Sequence, residues 1–377
     1  MPSSPLPAVP TAALRPHRRA VRIWLYGLAA LVVAMVALGG ATRLTGSGLS
    51  ITEWKPVTGA VPPLSEADWA AEFDKYRGTP QYKILNEGIG LESFKALYWW
   101  EWAHRLLGRL IGLAFFLPLI VFWLRGALDR RLGLGLVALG VVGAFQGAIG
   151  WIMVASGLQP GMTAVAPVKL ALHLTTASLI LAGLVWLAAG TRSTALSPAP
   201  GRLRAGAVAL MVLVLVQIAL GGLVAGSHAG LAYNTWPTMN GLLVPPLDAL
   251  FATAPWIENF VDNLTLVQFN HRVVAYLVVL VAVLHALDAR LIAHGTGAGR
   301  RAAGVAILAL GQMGLGIVTL LLAVPLWAAL AHQVFAMAVL TMATAHARLS
   351  RGHAALATAA DEPTVPFGFE PLAGRTT

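Results

Sequence analysis

Glu101-Trp102-Ala103-His104-Arg105 and Gln268-Phe269-Asn270-His271-Arg272 are two versions of one segment, one in each half of the chain. Each runs into an apolar block, Leu110 to Leu124 after the first and Val273 to Leu287 after the second. Six more blocks run from Ile23 to Leu38, Leu132 to Val154, Leu170 to Ala189, Ala205 to Ala225, Ala302 to Val324 and Leu326 to Ala345. A bilayer is crossed by roughly 20 such residues in a helix. The Leu110 block is short, but it extends backward through Trp99, Trp100 and Trp102, which suit an interfacial belt. Only 11% of residues are charged, against roughly 25% in soluble domains. The chain therefore reads as an all-α membrane protein of eight transmembrane helices.

The repetition extends along the chain. Gly39-Gly40 near the end of the first helix is matched by Gly221-Gly222 near the end of the fifth. Gln146-Gly147-Ala148-Ile149-Gly150 in the third matches Gln312-Met313-Gly314-Leu315-Gly316 in the seventh. Ala171-Leu172-His173 in the fourth matches Leu330-Ala331-His332 in the eighth. Matches in one order on equivalent helices predict two tandem four-helix bundles, residues 22–190 and 205–348, joined by a linker, 191–204. Four crossings return the chain to its starting side, so the repeats share one orientation, unlike inverted-repeat transporters.

The net charge is +10, but the basic residues sit between the blocks, which argues for a lipid surround and against nucleic acid. Arg15, Arg18, Arg19 and Arg22 precede the first block; Arg125, Arg130 and Arg131 follow the second. Arg192, Arg202 and Arg204 follow the fourth, Arg290, Arg300 and Arg301 the sixth, and Arg348 and Arg351 the eighth. Residues 226–263 hold no Lys or Arg. The positive-inside bias predicts both termini cytoplasmic, with tails 1–21 and 349–377 inside and long loops 42–98 and 226–263 outside. The first 19 residues, rich in Pro, Ser and Arg, are too polar for a secretory signal. With no cysteine, disulfides, thiolate metal sites and thiol catalysis are excluded.

Ionisable residues within membrane helices are costly and mark functional sites. His104, His173, His271 and His332 are each expected within about two turns of the outer end of an even-numbered helix. Each repeat thus presents two imidazoles at similar depth, which suits the two axial positions of a heme. The competing reading has each histidine bonding a carbonyl or another helix. Zinc fits poorly, because two histidines without Cys or paired carboxylates leave a tetrahedral site incomplete. Arg43, Arg105, Arg109, Lys169 and Arg272 are candidate partners for heme propionates; the alternative is interfacial snorkelling. His285 and His346 each lie fourteen residues beyond a proposed ligand, about 21 Å along a helix. They could form the inner rung of a two-heme ladder, but the first repeat has Pro118 and Leu187 there, and a cytoplasmic-end histidine also suits the helix dipole. His17, His294 and His353 read as tail or loop residues, and His228 as an outer-loop residue.

The repeats differ three residues before the first ligand, Glu101 against Gln268. Positions i and i+3 share a helix face, so Glu101 is placed beside the heme, where a carboxylate can move protons or stabilise developing positive charge. Gln268 has nearly the same shape and cannot ionise. This predicts one reactive and one passive site, unless Glu101 pairs with a neighbouring Arg.

These residues resemble the heme A synthase family. The resemblance covers about Gly39 to His346 and rests on Gly39 to Ser50, Glu53 to Gly59, Glu101 to Arg105, Tyr233-Asn234-Thr235-Trp236-Pro237 and Asn270-His271-Arg272. The cysteine-free outer loop resembles the proteobacterial and mitochondrial branch. The resemblance implies oxidation of the C8 methyl of heme O to a formyl group by successive hydroxylations, giving heme A for terminal oxidases. It implies substrate heme between His104 and His173 with Glu101 as catalytic carboxylate, and cofactor heme b between His271 and His332. It also implies a multi-pass protein of the bacterial inner (cytoplasmic) membrane, with heme O synthase and terminal oxidase assembly factors as partners; a homo-oligomer is compatible with it. Glu53 and Lys55 are second candidates for orienting propionates or relaying protons, against a solvated loop pair. Relatives often carry an acidic residue where this chain has His228, which leaves that loop's role open. The competing functions are a membrane cytochrome b that only transfers electrons, and a heme or lipid carrier.

Overall fold

The structure, a computed structural model, describes residues 14–192 and 196–352, and the side chains from residue 18 onward. The expectations for His17, His353 and most of the two tails lie outside these described residues and side chains. The chain forms α1 (Leu14–Leu44), α2 (Glu66–Arg77), α3 (Pro80–Leu85), α4 (Leu91–Leu124), α5 (Arg130–Gly157) and α6 (Pro167–Gly190). It continues through α7 (Gly201–Gly226), α8 (Leu247–Leu250), α9 (Leu264–Ile292), α10 (Gly297–Leu321) and α11 (Leu326–Ser350). Among the described residues there is no strand; an isolated bridge joins Met239 and Leu242. Eight helices are long and apolar enough to cross a membrane: α1 from Arg18, α4 to α7, and α9 to α11. The chain is a multi-pass membrane protein, because only a helix satisfies its own backbone in lipid.

Local chemistry sets where the helices start. The Asp129 side chain accepts from the Leu132 amide at the head of α5, Asn263 from those of Thr265 and Leu266 at α9, and Thr296 from that of Gly299 at α10. Pro167 opens α6, where a missing amide hydrogen costs nothing. Phe116, Leu117 and Ile120 on α4, and Leu280, Leu284 and Leu287 on α9, stay exposed and face lipid.

Helix α1 packs on α4 and α6, and α5 packs on the same two. Helix α9 packs on α7 and α10, and α11 packs on the same two. The seam between these sets joins α6 to α7 and α11, and α1 to α11. Leu25, Val32, Leu181, Val185, Leu210 and Leu340 are core residues along it. Two glycines bring backbones together there. A Cβ on Gly222 would stand 2.8 Å from the Ala171 Cα, and one on Gly226 would stand 2.7 Å from the Pro167 Cα. The small-xxx-small spacing permits this approach. The end of the seam near the C-termini of α1 and α7 is tied by Arg43, whose Nη2 donates to the Ala225 carbonyl, and by Gln333, whose Nε2 donates to the Val36 carbonyl at 2.8 Å.

Three expectations are corrected. The stretch expected as loop 42–98 folds into α2, α3 and the first turns of α4 around Ile51, Trp69, Tyr76, Phe94 and Tyr98. A Ser65–Asp68 capping box starts α2. Because Leu91 to Tyr98 belong to this outer lobe, α4 starts well before its apolar block. His104 therefore lies thirteen residues into its helix, about three and a half turns, whereas His173, His271 and His332 lie six or seven residues in. Finally, α10 ends at Leu321 rather than Val324, because Ala323 and Val324 take left-handed φ values of 58° and 60°.

Gly222→Leu should therefore destabilise the detergent-solubilised chain by ~1–3 kcal/mol, the range for overpacking. Tryptophan fluorescence during thermal unfolding reads this as a lowered midpoint. Gly27→Ala, with nothing within 4 Å of the new Cβ, should melt like the parent. Equal melting of both variants and the parent would show that the seam is not close-packed.

Candidate functional site

The four outer histidines share one environment. Each imidazole lies against a glycine of the preceding transmembrane helix. A Cβ on Gly39 would stand 3.0 Å from His104 Nε2, and one on Gly150 2.9 Å from His173 Cε1. The equivalent distances are 3.1 Å from Gly221 to His271 Cε1 and 2.8 Å from Gly316 to His332 Cε1. All four histidines are half-buried, and neither pair is joined by a direct hydrogen bond. Glycine at these four places is thus what lets an imidazole lie between two helices.

Three of the four rings also meet a glutamine one turn before that glycine. Gln146 Nε2 donates to the His173 carbonyl at 2.9 Å and stands 3.4 Å from its Nε2. Gln217 Nε2 donates to the His271 carbonyl at 3.0 Å and stands 3.1 Å from Nδ1. Gln312 does the same to His332, at 3.0 and 3.1 Å. The sequence reading aligned Gln146 with Gln312 but missed Gln217 and the shared i, i+4 spacing to glycine, which was the available signal.

Glu101 is buried at 3% exposure and both of its oxygens are engaged. Oε2 accepts from Ser50 Oγ and the Ile51 amide, each at 2.8 Å. Oε1 accepts from Arg105 Nε at 3.1 Å and Nη2 at 2.6 Å. Arg105 also donates to the Glu53 and Ile51 carbonyls. Gln268 occupies the matching place with opposite polarity. Its Nε2 donates to the Ala229 and Tyr233 carbonyls, and its Oε1 accepts from Arg272 Nη2 at 3.1 Å. Arg272 clasps the carbonyls of Tyr233, Thr235 and Thr238. The first outer loop offers donors and meets a carboxylate; the second offers carbonyls and meets an amide.

The candidate propionate partners differ in what they have left to give. The donor atoms of Arg105 all bond to protein, and Arg43 is tied to Ala225. Arg109 donates to the Lys55 and Pro56 carbonyls and keeps Nη1 buried without a partner. Arg272 keeps Nε in the same state. Lys169 borders a shallow groove with Trp151, Ile152 and Gln159. Above Glu101, a cavity of about 470 Å³ is lined by Glu53, Lys55, Lys75, Tyr98, Arg105 and Arg109. Glu53 bonds Lys55 at 2.6 Å and Lys75 at 2.7 Å, which pulls its carboxyl down to about 2; these ion pairs hold the cavity wall. His228, with a left-handed φ of 58°, is pushed down by burial and by the nearby Arg43 charge.

His285 and His346 behave differently. Their Nε2 atoms lie 2.8 Å apart in a direct hydrogen bond, and the residues are 7% and 1% exposed. Ser350 Oγ lies 3.3 Å from His346 Nδ1. The pair is closed on itself, whereas the outer pairs are open. Among the described residues, no group of three or more His, Asp or Glu gathers to hold a metal ion.

The outer pairs fit a heme. The half-buried rings with glycine behind them leave room that a Cβ would fill. The three glutamine Oε1 atoms are buried and unpartnered, as is His173 Nδ1. A histidine bound to iron through Nε2 presents Nδ1–H to such an acceptor.

Comparison with known proteins gives the family. Residues 22–344 match a family model described as cytochrome oxidase assembly protein. The chain is 77% identical over 355 residues to heme A synthase of Methylobacterium radiotolerans, covering 94% of this chain and 96% of that protein. It is 72% identical to that of Methylorubrum populi, covering 99% and 98%. It is 48% identical to that of Brucella anthropi, covering 89% and 93%. With relatives 72–77% identical over 94–99% of its length and the family model matched over residues 22–344, the chain is a member of the heme A synthase family.

Proposed function

We propose that the chain is a heme A synthase, an enzyme that oxidises the C8 methyl of heme O to a formyl group. Two successive hydroxylations, each passing two electrons from the methyl carbon to an external oxidant, give a geminal diol, which loses water to leave the formyl group. The eight spans form two tandem four-helix bundles with both termini cytoplasmic, in the bacterial inner membrane. His104 and His173 hold the substrate heme in the first bundle. His271 and His332 hold heme b in the second, where it supplies one-electron chemistry when bound. The observation that carries this reading is the set of four half-buried imidazoles, each against its glycine, divided between two sets of four packed helices.

Glu101 is the catalytic carboxylate in this reading. Its four hydrogen bonds hold the carboxyl group in one position, one helical turn outward from His104. A fixed anion there stabilises positive charge developing on the substrate methyl carbon. Arg105 keeps that anion in place and, through the Ile51 and Glu53 carbonyls, closes the outer loop over the site. Arg109, with Nη1 to spare, is the α4 side chain best placed to meet a propionate. Heme O synthase and terminal oxidase assembly factors are partners in this reading, as supplier of the substrate and users of the product.

The test is expression with a heme O source, followed by chromatography and mass analysis of the extracted hemes. Heme A should appear. Glu101→Gln should reduce it by about a hundredfold, the loss seen when a preorganised electrostatic group is removed, with low-spin heme retained on His271 and His332. Unchanged heme O in the parent would leave only an electron-transferring cytochrome b or a carrier.

Topology has its own test, because the chain lacks cysteine. Glu87→Cys should react with a membrane-impermeant maleimide in intact spheroplasts. His294→Cys should react only after permeabilisation. The opposite pattern would reverse the orientation.

A further inference from the structure

Gln146, Gln217 and Gln312 stand four residues before Gly150, Gly221 and Gly316, so each glutamine shares a helix face with the glycine that admits the neighbouring imidazole. All three leave Oε1 buried and unpartnered. Repeated unsatisfied acceptors at equivalent places call for an explanation. In Gln217 and Gln312, Nε2 stands 3.1 Å from the histidine Nδ1 while it donates to the same histidine's carbonyl; in Gln146 it donates likewise and stands 3.4 Å from His173 Nε2, with His173 Nδ1 buried and unpartnered nearby. A histidine holding iron through Nε2 would carry its hydrogen on Nδ1, and the free Oε1 of the same amide would be its acceptor after a small tilt that keeps the bond from Nε2 to the carbonyl.

The fourth helix of this kind breaks the pattern. Four residues before Gly39 stands Met35, a thioether with no hydrogen to donate and only weak accepting power. Its Cε packs against Gly108 of α4. Among the described residues, hydrogen bonds reach the rings of His173, His271 and His332 but not the ring of His104.

We propose that Gln146, Gln217 and Gln312 are positioning residues for the histidine ligands, and that His104, whose ring no glutamine reaches, is the ligand that lets go. The inference rests on the heme reading above and deepens it. The His271–His332 pair has an amide behind both rings and holds its heme permanently. The His104–His173 pair has one behind His173 alone, so its heme exchanges. Release of His104 would free the α4 side of the site, the helix that also carries Glu101.

The test uses the full chain in detergent, loaded with hemin, with apomyoglobin as acceptor and the low-spin electron paramagnetic resonance spectrum as a second readout. Heme should leave the parent in two phases. The near-isosteric exchange Met35→Gln should slow the fast phase about tenfold. Gln217→Met should speed the slow phase about tenfold, the lower end of what losing a ligand's hydrogen-bond partner costs, and should shift the low-spin g values. Gln217→Glu keeps an acceptor and should retain slow release. Unmoved rates and spectra in Met35→Gln and Gln217→Met would overturn the proposal while leaving the heme sites intact. So would Gln217→Glu losing heme as fast as Gln217→Met, which would reduce the glutamine to packing. A parent that binds no hemin would overturn the heme reading itself.

Discussion

An imidazole can lie flat between two packed helices only where one helix carries no side chain at the point of contact. Gly39, Gly150, Gly221 and Gly316 meet that requirement, and much of the architecture follows from it. Each glycine sits toward the C-terminal end of its helix, and each histidine toward the outer part of the next. The hairpin joining them sets both at one depth. Four such contacts place the polar chemistry at one end of the bundle. The other end is filled by apolar packing and by the closed His285–His346 pair.

The outer loops are built onto this layer by a second repeated device. Glu101 with Arg105, and Gln268 with Arg272, each fasten a loop to the helix that bears the histidine. The divergence between carboxylate and amide has a local physical cause. The first loop turns an amide hydrogen and a hydroxyl toward α4, and the second turns carbonyls toward α9. A carboxylate beside carbonyls would be repelled, and an amide at Glu101 could accept from Ser50 and Ile51 with its oxygen but would turn its NH2 toward the Arg105 guanidinium, donor against donor. Loop conformation and the ionisable group are therefore one choice, and the group that secures the first loop also places a buried anion beside His104.

The eight spans and the four histidines were legible from the sequence because lipid imposes a long apolar run and makes each polar exception conspicuous. Helix starts at Asp129, Asn263 and Thr296 follow from capping residues that any reader can find. The outer lobe was not legible. Its core draws Ile51, Trp69, Tyr76 and Phe94 from separate short segments, none with a long apolar period. That lobe also hid the true start of α4, since Leu91 to Tyr98 pack outward on it rather than in lipid. The glutamines were half visible: Gln146 and Gln312 were matched, but Gln217 escaped because the comparison used a repeat of four helices.

The contacts point to a smaller unit. The pairs α1–α4, α5–α6, α7–α9 and α10–α11 each combine a glycine on the first helix with a histidine on the second. Three of these pairs carry glutamine one turn before the glycine; α1–α4 carries Met35. The same pair has the outer lobe inserted between its helices, the longest second helix and the buried carboxylate. A structural role alone would give no reason for these departures to gather in one hairpin, since all four face the same lipid and use the same contact. A heme that must enter, react and leave needs one side of its site loosened and that same side chemically equipped. Under the proposed function α1–α4 answers both needs, while α5–α6, α7–α9 and α10–α11 keep the glutamine, glycine and histidine together.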